Sequence, residues 1–249
     1  TRPTNRWIIM ATKFFKNFPD IQYTLDSGRV INIKDFFRKS KVDQSAVNSV
    51  IEYEYFELQE GDRPDVVATN LYGDSDLHWT FFLVNDWNNY YEWWKDNRSF
   101  DQYIKTNYGG KFLTAHQKSD IVSATGKFLL GESVSCLRDS VLHKGPITSV
   151  DPQWSRIGIE SGDFRPDDVI TGNISGHTMT IKNSINQTDG TAYYYDVNGN
   201  KSNTFVNGMY EKTIYDSEWE KNEKNRSIKI IKPQYIRRVV SEFGKVMSS

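Results

Sequence analysis

Cysteine is almost absent from this 249-residue chain; Cys136 stands alone, so no disulfide can form within it. That fits assembly in a reducing cytoplasm. Long apolar runs are missing as well: no stretch reaches the roughly eighteen residues that suggest a membrane span. WIIM at 7–10 is too short and lysines follow it, so residues 1–23 lack the apolar core of a secretory signal. Neither sign of charge dominates. The net charge is −1 and no basic run exceeds a few residues, which argues against a nucleic-acid partner. The four histidines, His78, His116, His143 and His177, are widely separated, and none stands at metal-ligand spacing. There is no Gly-x-Ser-x-Gly, no glycine-rich phosphate loop and no Cys–His nucleophile pairing. Glu52 and Glu54 could form a glycosidase pair, but their spacing puts both on one solvated strand face. Asp196–Asn200 has its glycine at the fourth place, where a calcium loop has it at the sixth, so a hairpin turn explains it better. The expectation is a non-enzyme without cofactor or metal.

What the chain does have is aromatic side chains, 14% of residues against a modest 37% hydrophobic content. Cores can be built with little to spare, and the surplus of Tyr and Trp suits a protein that binds other proteins. His78, beside Trp79, is expected to be a packed core histidine, and Cys136 a small buried apolar residue.

Residues 1–45 read as an extended arm with a short apolar patch, Phe36-Phe37. Met10-Ala11-Thr12-Lys13 reads like a natural start, which makes residues 1–9 an upstream extension or a start-site choice. From Tyr53 the pattern alternates as a strand. Gly61 marks a turn, Asp62 a helix cap and Pro64 the first helical turn; Val66, Val67 and Leu71 form the apolar face. Tyr72-Gly73 ends that helix. A second helix, starting near Ser75 with Leu77, Trp79, Phe81, Phe82, Leu83 and Val84, is apolar nearly all round and stops at Asn85-Asp86. Strand, Gly-Asp turn, helix, Tyr-Gly, second helix is an order that resembles the LysM module. Trp87, Tyr90, Tyr91, Trp93 and Trp94 follow, too many large rings for one small core. Some of them are expected to fill a partner's pocket or to cover the arm at 7–23. Arg63 is expected to pair with Asp65 or Asp86, or to reach across an interface.

Phe100, Tyr103 and Ile104 suggest a short helix closed by Gly109-Gly110. The small polar residues at 111–126 read as a linker. From 127 to 212, strands are expected at 132–138, 146–151, 156–160, 167–171 and 177–183, forming a small antiparallel barrel or sandwich. Asp189-Gly190 and Asn198-Gly199 mark hairpin turns around Tyr193–Tyr195. In the last segment, 213–249, a strand is expected at 227–231. Beyond Pro233, Tyr235, Ile236, Val239, Val240 and Phe243 fall at helical spacing, a stripe that must bury against its own unit or a neighbour. The whole is thus α+β: an arm, a LysM-like unit at 46–110, a linker, an inserted β domain and a C-terminal helix.

The central block GDRPDVVATNLYGDSDLHWTFFLVND followed by NNYYEWW, with KFFKNFPDIQY at 13–23, VINIKDFFRK at 30–39 and SEWEKNEKNRSIKIIKPQYIRRVV at 217–240, resembles the LysM-like baseplate wedge subunits of contractile-tailed bacteriophages, the wedge protein 53 family. The resemblance implies a non-catalytic virion protein, placed in the tail baseplate and assembled in the host cytoplasm. Its partners would be other wedge proteins and hub or tail proteins, joined in a ring. The alternative is a glycan-binding LysM module with a groove between Gly61–Pro64 and Asn85–Tyr91; the bulky Pro64 stands against it, in a place where such modules have a small residue. A peptidoglycan hydrolase ranks last, because no catalytic constellation accompanies the module.

Overall fold

The computed structural model describes residues 18–35, 52–124 and 126–248. The chain divides into two compact units, one of residues 1–96 with 222–249 and one of residues 97–221. The second unit is therefore an insertion in the sequence of the first.

The first unit opens on a hairpin. β1 (Asp20–Thr24) and β2 (Val30–Lys34) pair antiparallel, Asp20 opposite Lys34 and Thr24 opposite Val30. Gly28, at φ +78°, supplies the left-handed residue the turn needs. The extended arm expected here is thus, over residues 20–34, a paired hairpin; β-branched residues flank an Asp-Ser-Gly turn, which favours pairing. Phe36-Phe37 and the Met10 start lie outside the described residues.

β3 (Tyr53–Glu57) passes through a turn at Gly61 into α1 (Pro64–Tyr72). Pro64 takes the first helical position, where its missing N–H costs nothing. Gly73 ends the helix in the left-handed region at φ 75°, its N–H on Thr69 O at 2.9 Å. A 3₁₀ turn, Ser75–His78, then feeds α2 (Trp79–Val84).

The second unit begins with α3 (Asn97–Tyr108) and β4 (Lys111–Thr114). β4 lies in the stretch read as a linker. Phe112 and Leu113 are buried there, and two large apolar residues suffice to seat a strand among small polar neighbours. β5 (Ser133–Arg138), β6 (Val141–Asp151), β7 (Arg156–Ile159), β8 (Val169–Gly172), β9 (Thr178–Thr180) and β10 (Asn183–Asn186) follow. With β4 they make one antiparallel sheet in the order β10-β4-β7-β6-β5-β8-β9. β6 is the pivot: residues 141–146 pair with β5 and residues 147–151 with β7. At Gly145, beside the change of partner, a Cβ would sit 2.1 Å from Ser161 O, so the backbone passes where no side chain fits. One core serves both halves: Leu113, Ile157 and Ile159 from β4 and β7 meet Val134, Cys136 and Ile170 from β5 and β8, with Phe128 and Phe164. No closed barrel results; β9 and β10, the two edge strands, follow each other in the chain without pairing.

A separate sheet is built from β11 (Thr191–Tyr195), β12 (Lys201–Ser202) and β13 (Tyr210–Thr213), in the order β12-β11-β13. Asn198-Gly199 forms the expected hairpin turn between β11 and β12, with Gly199 at φ +82°. Asp189-Gly190 does not: Gly190 has φ −68° and joins a 3₁₀ turn to β11, because β10 pairs with β4 in the other sheet. α4 (Ile214–Lys224) is a helix that the sequence reading did not expect. Its signal is Tyr215 and Trp219, four residues apart, both edge-on to Phe100 of α3.

β14 (Ser227–Ile231) and α5 (Ile236–Ser248) return to the first unit. β14 pairs antiparallel with β3, Ile231 opposite Tyr53 and Ser227 opposite Glu57. The core below that sheet holds Leu58, Val67, Ala68, Phe81, Trp93, Ile228 and Ile230. The strand that completes this unit comes from some 170 residues further along the chain.

Candidate functional site

The aromatic cluster after α2 splits in two. Trp93 and Trp94 are buried and Trp87 is half-buried. Trp93 lies 5.8 Å from Phe81, 6.1 Å from Phe82 and 6.1 Å from Trp87, ring centre to ring centre. Its indole N–H donates to Asp62 O at 2.9 Å. Trp94 donates to Glu223 Oε1 at 3.1 Å, with the Arg226 guanidinium 5.3 Å from its ring. Both indoles thus satisfy their polar atom while burying their rings. Tyr90 and Tyr91 point outward, Tyr91 at 78% exposure. The 3₁₀ turn carrying them is held from inside: Asn88 N–H and Asn89 Nδ2 donate to Glu92, and Lys95 Nζ donates to Tyr91 O at 2.6 Å.

The start of α1 departs from expectation. Arg63 is the N-cap and makes no side-chain cap bond. The Asp62 carboxylate turns back and accepts from Gln59 N–H at 2.8 Å, closing the Gly61 turn rather than the helix. Arg63 pairs with Asp65 at 3.1 Å, both well exposed, a pair worth little on its own. Pro64 is buried. His78 is no core residue: it is exposed and its Nδ1 sits 2.8 Å from Ser75 O, since the 3₁₀ turn rotates it to the outside while Trp79 faces inward. Tyr55 is likewise 70% exposed, although Tyr53 on the same strand face is buried, because the two-stranded sheet is covered only at that end.

The C-terminal stripe packs on its own unit. Ile236 joins Tyr53, Val84 and Ile231, with Tyr235, Val239 and Val240 against them. Phe243 meets Trp79 with ring centres 4.5 Å apart. Tyr72 reaches the same place, its hydroxyl donating to Ile231 O at 2.9 Å; burial pushes its pKa up, so it stays a neutral donor.

Asn85 was read only as a helix stop, yet it carries more. Its amide donates to Lys229 O and accepts from Lys229 N–H, both at 2.9 Å, and so pairs β14 on the edge away from β3. Asp86 follows at φ 55°, in the left-handed region that lets the chain turn off the helix. Asn222 does the same for the chain where it re-enters this unit, accepting from Lys95 N–H at 2.9 Å and donating to Lys95 O at 2.8 Å. An Asn/backbone pair of this kind leaves no hydrophobic trace in a sequence.

The second unit holds two buried ionic groups that sequence reading missed. Glu132 is 1% exposed. Burial raises its pKa, but hydrogen bonds from Ser175 N–H, Leu129 N–H, the Ser175 hydroxyl and Ile174 N–H outweigh this and hold it below the usual glutamate range. The carboxylate thereby ties the 173–175 turn to the start of β5. Arg156 is buried with its guanidinium 4.1 Å from the Phe112 ring centre, paired to Asp151 at 3.1 Å and donating to Thr191 O at 3.0 Å. Cys136 is buried as expected, and burial raises its thiol pKa. Asp196 accepts from Asn198 N–H, Asn200 N–H and the Asn200 amide, which organises the hairpin loop. Among the described residues no group of three or more His, Cys, Asp or Glu side chains is placed to hold a metal ion. No helix among them is long and apolar enough to cross a membrane.

Residues 10–128, just under half of the chain, match the family model of base plate wedge protein 53. The match takes in the leader blocks and the central block on which the resemblance was read. It ends before β5, so most of the second unit lies beyond it. No curated protein matches the chain. The matching family model describes a base plate wedge component.

Proposed function

We propose that this chain is a wedge subunit of a contractile-tail baseplate, and that its first unit is a LysM-like clip joining neighbouring wedge subunits into the ring around the tail hub. The family match over residues 10–128 carries the reading. The strand–helix–helix order of β3, α1 and α2, closed by β14, supports the LysM-like description. Mechanism is adhesive. Trp87, Trp93 and Trp94 fix a rigid base, and Tyr90 and Tyr91 stand on it as exposed anchors. Anchors held in place before contact lose little side-chain entropy on docking. Arg63, exposed near the Asp62–Trp93 link, is the polar member of that surface. The residues of α5 and Trp79 hold the clip together from within. Partners are other wedge proteins and hub or tail proteins, met in the host cytoplasm.

Electron microscopy of the intact particle at side-chain resolution tests this. The expected result is this chain in a tail-end ring, with Tyr90 and Tyr91 buried against another subunit. A protein absent from the particle, or free with a sugar between Gly61–Pro64 and Asn85–Tyr91, overturns it in favour of glycan binding.

A further inference from the structure

The small sheet of the second unit has two unlike faces. Tyr194 turns to one side, where its ring meets Trp154 at 5.6 Å and Phe205 at 5.3 Å within the same unit. Tyr193 and Tyr195 turn to the other. Register places Lys212 opposite Tyr193, and Tyr210 and Lys201 on either side of Tyr195, so all five share that second face. Tyr195 and Tyr210 lie 5.7 Å apart, and Tyr210 is 57% exposed. This face lies beyond the family match.

The charges on the face are unequal in their partners. Lys212 pairs with Glu220 at 3.2 Å. Lys201 is exposed, and its ammonium sits 4.0 Å from the Tyr193 ring centre; among the described residues no carboxylate pairs with it. A cation parked on a ring keeps its position while its charge stays open to an incoming anion. Sugar stacking fits poorly, since the Tyr193 ring face is taken by Lys201 and the Tyr193 and Tyr195 rings stand 67° apart. A nucleic acid would need several unpaired cations in a row, and this face offers one. Rigid tyrosines around a single open cation suit a protein partner that brings a carboxylate.

We propose that the Tyr193–Tyr195–Tyr210 face, with Lys201, docks a carboxylate-bearing segment of a different baseplate protein. The proposal rests on the baseplate reading and gives the inserted unit its own partner. The test replaces Tyr210 with the photo-crosslinking residue benzoylphenylalanine in assembling particles, irradiates them and identifies the cross-linked peptide by mass spectrometry. The expected product is an Asp- or Glu-containing peptide of another tail protein. Its yield should fall about tenfold or more with Lys201→Glu and stay nearly unchanged with Lys201→Arg. Both positions are on the surface, and a thermal melt of each purified variant checks that it folds. Incorporation of the chain without any cross-link at 210 overturns this inference and leaves the baseplate reading standing. So does a cross-link only to a second copy, to a glycan, or to a peptide without a carboxylate. Absence of the chain from the particle overturns both.

Discussion

Glu132 shows how much one side chain can hold. Its two carboxylate oxygens take four hydrogen bonds from Leu129, Ile174 and Ser175, and a fifth contact runs from the Ser175 hydroxyl to the second oxygen. Glutamine in its place would aim an NH₂ at donors that need an acceptor. The Glu132→Gln variant should lose about 2–3 kcal/mol of stability, read from thermal or denaturant unfolding at neutral pH. The pH dependence has a definite sign. The folded-state pKa lies below the ordinary glutamate value of 4.5, so the stabilisation is fully present above that value. It fades as pH falls through the folded-state pKa. The gap between wild type and Glu132→Gln should therefore shrink on acidification below about pH 4.5. A gap that widened there would sink the assignment. Only Leu129 among its partners is local; those at 174 and 175 stand some forty residues away, so the sequence around Glu132 does not mark it as buried.

At the scale of elements, α5 was legible as a helix and its apolar stripe as a buried one. Where it buries was open between its own unit and a neighbour. The helix lies on its own unit, with Ile236 beside Tyr53, Val84 and Ile231, and Phe243 on Trp79. Phe243→Ala removes that ring pair and opens a partly exposed gap, at an expected cost of about 2 kcal/mol. Denaturant unfolding followed by tryptophan fluorescence reads it. No change in the midpoint would mean that Trp79 does not rest on the helix. β6 is the counterpart in the second unit. A strand was expected only over 146–151; the pairing with β5 extends it back to Val141, and the change of partner lies beside the close backbone approach at Gly145. Gly145→Ala should destabilise the second unit by about 2 kcal/mol or more, seen as an earlier melt in circular dichroism.

For the whole molecule, the point where the second unit enters and leaves is one place in the first. Asn222 clasps the Lys95 backbone by two hydrogen bonds, and residues 96 and 222 bound the insertion. Such a junction tolerates excision, because closing it costs little loop entropy. A chain with residues 97–221 replaced by a short Gly-Ser linker should still fold, since β14 would reach β3 unchanged. Retained near-ultraviolet tryptophan signals and a single cooperative melt are the expected outcome. A molten, signal-poor product would show that the first unit needs the second.

Sequence by itself determined what is local and periodic. The Tyr72-Gly73 helix end, the β5–β8 strand cadence, the Asn198-Gly199 turn and the C-terminal apolar stripe depend on neighbours a few residues away, so a single stretch contains their cause. Only the tertiary structure decided the pairings between distant stretches. Asn85 with Lys229, Trp93 with Asp62, Glu132 with Ser175 and β3 with β14 are polar or register contacts. Burial turns an ordinary polar residue into a satisfied or costly one, and the sequence does not carry which segment will supply the partner. For the same reason the aromatic cluster could be counted from its letters, but its division into buried tryptophans and exposed tyrosines needed the surrounding chain in place.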